Sequence, residues 1–149
     1  PNAAARGAFE AAADREAEAA ERAVGSSEDV DSGDEGSEDA VAAALSDLDG
    51  TPERVAAGLV ARPLVVARAY TQVVSFFINE ADERRADVFR DLRSESEAGA
   101  DEGVVLLEEV CAGDDWERAA DAAEGLVRAA YDEYAGALGA MGLDPKPVC

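Results

Sequence analysis

Residues 64–78, LVVARAYTQVVSFFI, form the richest apolar stretch of the chain and decide its fold. The polar residues within and directly after this stretch form one narrow strip: Arg68, Thr71, Gln72, Ser75 and Asn79. Spacings of three and four residues are helical, and a helix that is apolar around most of its circumference is normally buried. We therefore predict a central apolar helix over residues 64–92. The many valine and phenylalanine residues of the stretch would also suit a strand, which is the alternative.

The cleanest amphipathic pattern lies near the C-terminus, over residues 115–141. Its apolar residues recur at spacings of four and three: Trp116, Ala120, Ala123, Val127, Ala130, Tyr134, Leu138 and Met141. Asp114 and Glu117 make a capping-box pattern at the start, and Gly142 and Pro145 stop the helix. We predict a long C-terminal helix whose apolar stripe faces the core.

Shorter helices complete the predicted bundle. Residues 38–48 read as a helix with Ser37 as its N-cap, and Thr51-Pro52-Glu53 starts another helix that reaches Pro63. Polar residues 94–103 read as a loop. The helix predicted after that loop, over residues 102–111, has four residues expected to be buried: Val104, Val105, Leu107 and Cys111. Together these patterns predict an all-α fold, a small bundle of four to five helices.

The N-terminal part is predicted to form a separate unit. Residues 1–24 contain an Ala-rich helix, residues 25–38 an acidic flexible linker, and residues 39–149 the bundle domain. The apolar stripe of the first helix is mostly alanine: Phe9, Ala13, Ala17, Ala20 and Val24. Because only its two end residues offer substantial apolar area, three outcomes stay open. The helix docks on the bundle, docks on a partner, or frays.

The composition suggests a protein built for concentrated salt. The net charge is −21, with 34 acidic residues against 13 basic ones, and Lys146 is the only lysine. Molar salt screens such self-repulsion to a length of about 3 Å. The acid surplus, scarce lysine and abundant alanine resemble the composition of proteins from salt-accumulating haloarchaea. We therefore attribute the charge to hydration of the surface.

Location and partners are predicted partly by what the sequence lacks. No run of 18 apolar residues occurs and no signal peptide opens the chain, so we expect a cytoplasmic protein without membrane contact. Two cysteines, Cys111 and Cys149, are too few for a disulfide scaffold. The densest basic stretch, residues 84–93, is interleaved with acids, so we expect internal ion pairs and no nucleic-acid binding.

The sequence offers little catalytic chemistry. It contains no histidine and no phosphate-binding glycine loop, so we predict no catalytic residue, no metal and no cofactor. Residues 29–34 resemble a calcium loop, but glycine stands at a ligand position. Glu80 and Glu83 supply half of the paired acidic motif of helical Mg²⁺-dependent pyrophosphatases. In so acidic a chain, half a motif is expected by chance.

Three functional hypotheses follow. The first is a non-enzymatic protein–protein interaction or assembly module, an adaptor or structural subunit, that forms a homo-oligomer to cover its apolar helix. The second is a ligand-sensing or chaperone-like domain with a pocket near Tyr70, Phe76 and Phe77. The third is a carboxylate–Mg²⁺ hydrolase, which needs four acids inside the bundle. The candidate interaction surface consists of Phe9, Val24, Tyr131, Tyr134, Gly136 and Gly139.

Overall fold

The computed structural model describes residues 2–25 and 40–144, and every regular element in these ranges is helical. The helices are α1 (Ala3–Gly25), α2 (Ala40–Ser46), α3 (Thr51–Val55), α4 (Arg62–Asn79), α5 (Glu83–Val110) and α6 (Asp115–Ala140). A π-helical segment, Ala56–Ala61, joins α3 to α4 without a break. The all-α bundle is thus confirmed. Most of the predicted linker lies outside the described residues, as do Pro145, Cys149 and Ser37, the predicted N-cap of the helix over residues 38–48.

The centre of the bundle is this π-helical segment, not the stretch after it. Val55, Ala57, Leu59 and Ala61 are buried where α1, α5 and α6 meet, with α2 packed over them. Pro63 explains the wider helical turn, because it has no N–H and its ring crowds the carbonyl four residues earlier.

The expectation that residues 64–78 form the buried centre was wrong. Within α4 only Ala67 and Val74 are buried, while Leu64, Phe76 and Ile78 are about half exposed. The small side chains of the π segment admit several helices at close range. Past Pro63, α5 supplies most of the cover, so the larger side chains of α4 stay partly in solvent.

The predicted helix over 64–92 is in fact two antiparallel helices, α4 and α5. They are joined by a turn in which Ala81 takes the left-handed conformation, with φ of 59°. The Asp82 N–H donates to the Phe77 carbonyl at 2.9 Å, and the Asp82 carboxylate caps α5 by accepting from the Arg85 N–H at 3.0 Å. This closure usually uses glycine, so the sequence carried no sign of the turn.

The predicted loop over 94–103 is also wrong, because α5 continues through it to Val110. The Ser94 and Ser96 hydroxyls donate to carbonyls four residues back, as serine does inside a helix. The unbroken helix also changes the buried face. Gly103 and Leu106 are buried, whereas Val104 and Val105 are exposed.

The last helix begins and ends close to its predicted bounds. Asp114 precedes it, although the Asp114 side chain makes no capping hydrogen bond. Gly142 ends it with a φ of 76°, and the Leu143 N–H donates to the Leu138 carbonyl at 2.9 Å. The inward face was predicted wrongly, because Ala119 and Leu126 are the buried residues of α6.

The N-terminal helix docks on the bundle. Ala5 is buried and Phe9 is half-buried against Val55, Leu59 and Leu106. The packed stripe differs from the predicted one: Ala8, Ala12, Ala19 and Ala23 contact the bundle, while Ala13, Ala17 and Ala20 are exposed. Because alanines occupy nearly every position of α1, the sequence pattern could not select between these stripes.

Candidate interaction surfaces

One side of α6 presents a row of large apolar side chains to solvent. We call it the α6 face; it consists of Trp116, Val127, Tyr134 and Met141. Their exposed fractions are 46, 48, 42 and 69 % in the part of the chain that the structure describes. Spacings of eleven and seven residues keep the four side chains in line along the helix. Helix α6 touches α4 at few points.

The predicted surface residues on α6 divide into two groups. Tyr134 belongs to the α6 face, and Tyr131 lies half-buried beside it. Gly136 and Gly139 are exposed, and a Cβ built on either would meet no described atom within 4 Å. By helical position these glycines share the polar side of α6 with Asp132, so they do not line the apolar row.

The predicted surface residues on α1 are not brought together with those on α6. Phe9 packs against the chain's own bundle. A Cβ built on Gly58 would lie only 2.9 Å from the nearest atom of the Phe9 ring. Val24, 66 % exposed, lies near the other end of α1. Sequence reasoning missed Trp116 and Val127 as surface residues because their stripe was assigned to the core.

The pocket expected from Tyr70, Phe76 and Phe77 does not form from those three residues. Phe77 stacks on Phe89 with ring centroids 5.6 Å apart, and Phe76 packs edge-on against Phe77 and is exposed. Of the three predicted residues, only Tyr70 lines a cavity, which lies under α1 and has a volume of about 300 Å³. Burial raises the pKa of the Tyr70 phenol above its ordinary value.

Most carboxylates of the described residues lie at the surface. Glu53 is an exception, because its side chain is 17 % exposed and its Oε2 is buried with no hydrogen-bond partner in the described part of the chain. No three Asp, Glu or Cys side chains come together there as possible metal ligands, and no polar or charged residue in residues 2–25 and 40–144 is fully buried. The basic stretch of α5 forms the expected internal ion pairs, including Arg85 with Asp82 at 3.4 Å and Arg90 with Asp87 at 2.5 Å.

Cys111 is the remaining reactive side chain in the described range. It lies half-buried between α5 and α6 and is not disulfide-bonded. Burial raises the pKa of its thiol, and the neighbouring carboxylates of Asp115 and Glu53 raise it further. Since the thiolate is the nucleophile, this environment suppresses reactivity.

We therefore expect Cys111 to react slowly with thiol reagents. In a Cys149→Ser variant, the pH midpoint for modification of the folded protein should lie above that of the same chain unfolded in urea. Asp115→Asn should lower the folded midpoint, because it removes a negative charge that opposes the thiolate. Stopped-flow absorbance with a disulfide reagent measures both values. A folded midpoint at or below the unfolded one would contradict the assigned environment.

No helix within the described ranges is long and apolar enough to cross a bilayer. Comparison of the chain with protein-family models, curated proteins and solved structures found no match.

Proposed function

We propose that the chain is a non-enzymatic assembly module of a halophile's cytoplasm, and that copies associate through the α6 face. The observation that carries this proposal is the row of exposed apolar side chains on α6, two of which are aromatic. Contiguous exposed apolar residues mark interaction sites, and tryptophan and tyrosine are the residues most enriched among those that dominate binding energy.

The charge distribution is compatible with this use. Two chains of charge −21 repel each other in dilute buffer. In molar salt the repulsion reaches only about 3 Å, whereas apolar contact persists and some salts strengthen it. Association should therefore increase with potassium chloride concentration, which is the opposite of what a charge-driven complex shows.

A ligand-sensing domain is the second candidate, and the cavity beside Tyr70 supports it. Its volume of about 300 Å³ is at the lower end of the range for small-molecule sites, which is roughly 300–1,000 Å³. However, the cavity is partly open to solvent, and of the three aromatic residues predicted to line it only Tyr70 does so. No cluster of acidic side chains among the described residues supports a carboxylate–Mg²⁺ hydrolase.

Light scattering coupled to size exclusion in molar potassium chloride tests self-association. We expect the native chain to elute at a multiple of its 15.4 kDa mass. Val127→Glu, which places a charge in the middle of the α6 face, should shift the protein to the monomer. Ala98→Glu, at an exposed position of α5, adds the same charge elsewhere and should leave the mass unchanged.

Trp116 provides an independent signal, since it is the chain's only tryptophan. Association through the α6 face should shift its emission to shorter wavelength as protein concentration rises, and the shift should be absent in Val127→Glu. A monomeric mass at every salt concentration, with a Trp116 spectrum that does not depend on concentration, would refute assembly through this face.

A further inference from the structure

Helix α1 covers the groove between α4 and α5 but fills only its two ends. At one end Phe9 packs against Leu59 and Leu106. At the other, Ala19 and Ala23 pack against the cluster around Leu92. Between the ends lies the cavity of about 300 Å³, lined by Ala12 and Ala19 of α1 and by Pro63, Val66, Tyr70 and Leu92 of the bundle.

Ion pairs hold α1 across this gap in a regular pattern. Arg15 pairs with Glu102 at 3.3 Å, and Arg22 pairs with Glu95 at 2.7 Å. Arg15 and Arg22 are seven residues apart in α1, and Glu95 and Glu102 are seven residues apart in α5. The two helices therefore run antiparallel with matched helical repeats. Glu16 pairs with Arg62 on the opposite side of the groove.

These contacts make α1 a weak occupant. The ion pairs are partly exposed to solvent, and exposed pairs add little to stability because water and salt screen them. Apart from Phe9, the docked stripe consists of alanines, which bury little apolar surface. The high alanine content favours helix in the isolated segment as well, so α1 can leave the groove without losing all its structure.

We propose that the α4–α5 groove is a helix-binding site that α1 occupies in the absence of a stronger partner. The partner is an amphipathic helix with arginine or lysine residues seven apart, facing Glu102 and Glu95, and an acid facing Arg62. Where α1 has Ala12 and Ala19, this helix carries leucine-sized side chains. Ala12 and Ala19 both line the cavity of about 300 Å³, so longer apolar side chains at these two positions extend into space that the alanines leave empty.

The site is separate from the α6 face, so each proposal can fail without the other. Charge complementarity identifies the partner as cationic along one edge. The cavity requires side chains larger than those of α1. Binding therefore displaces α1 and does not add a helix to a vacant surface.

A peptide competition experiment with the full chain tests this proposal. The probe is a fluorescent peptide of residues 3–25 carrying Ala12→Leu and Ala19→Leu, with anisotropy measured in molar potassium chloride. It should bind at least about tenfold more tightly than the peptide of native sequence, because it buries several additional methylene groups. Hydrogen exchange should show faster exchange at the amides of α1 in the chain when the probe is bound.

Two control variants define the binding site. The peptide with Arg15→Glu and Arg22→Glu added should lose binding to the native chain and regain it with the Glu95→Arg, Glu102→Arg chain. A chain with Ala12→Leu and Ala19→Leu in its own α1 should bind the probe about tenfold more weakly. If that chain does not fold, Ala19→Leu alone in peptide and chain gives the same test. Failure to bind, binding insensitive to the charge reversal, or binding that leaves α1 protected would each overturn the proposal.

Discussion

Gly103→Ala is expected to destabilise the protein by about 2 kcal/mol or more, although alanine is the better helix former. A Cβ built on Gly103 would lie 2.7 Å from the Leu59 carbonyl carbon and closer still to its oxygen. Both groups are backbone, so neither can rotate away. The substitution must push α5 from the π segment and loosen the contacts of Val55 and Leu106, which lie in the same cluster.

Gly125→Ala is the matched control for this prediction. Gly125 also lies inside a helix, but a Cβ there meets no described atom within 4 Å. Its replacement should stabilise the protein by up to about 1 kcal/mol through helix propensity alone. Urea unfolding at a fixed molar potassium chloride concentration, followed by circular dichroism, gives both values. A neutral or stabilising Gly103→Ala would show that α5 and the π segment are not in close contact.

Gly103 also shows why the sequence predicted a loop where the structure has a helix. Serines, acids and glycines over residues 94–103 are typical of a loop, and no local signal distinguishes a glycine that permits close packing from one that permits a turn. The opposite error occurred at Ala81, where a turn formed without glycine or proline. At Gly103 the packing of α5 against the π segment decides the outcome, and at Ala81 the packing of α5 against α4. Neither is a local property of the sequence.

The helical class and the end of α6 at Gly142 were predictable because they rest on local chemistry. Gly142 provides the left-handed residue that ends the helix, and periodicity showed that residues 115–141 are helical. The inward face was not predictable. Alanines at many positions give α6 two overlapping apolar stripes, one through Leu126 and one through Val127, about 100° apart around the helix. Periodicity alone favoured the stripe with larger side chains. In the structure, the stripe through Leu126, which has smaller side chains, packs against the neighbouring alanine-rich helices. As a result the α6 face, the candidate site, was assigned to the core.

Leu126→Ala should therefore be far more damaging than Val127→Ala. Leu126 is 2 % exposed and packs against Ala57 and Ala61 of the central π segment. Its truncation leaves a cavity in the cluster that Leu126 shares with Ala57 and Ala61. We expect a loss of about 3 kcal/mol, within the range of roughly 2–5 kcal/mol for buried leucines.

Val127→Ala should cost no more than about 0.5 kcal/mol in the monomer, because its side chain is half in solvent. Urea unfolding at low protein concentration measures both free energies without a contribution from association. At high protein concentration the cost of Val127→Ala should rise, since the substitution then also weakens self-association, while Leu126→Ala acts on the fold of each chain. If Val127→Ala cost more than Leu126→Ala in the monomer, the stripe through Trp116 and Val127 would face the core after all. The α6 face could then not be the surface on which copies meet.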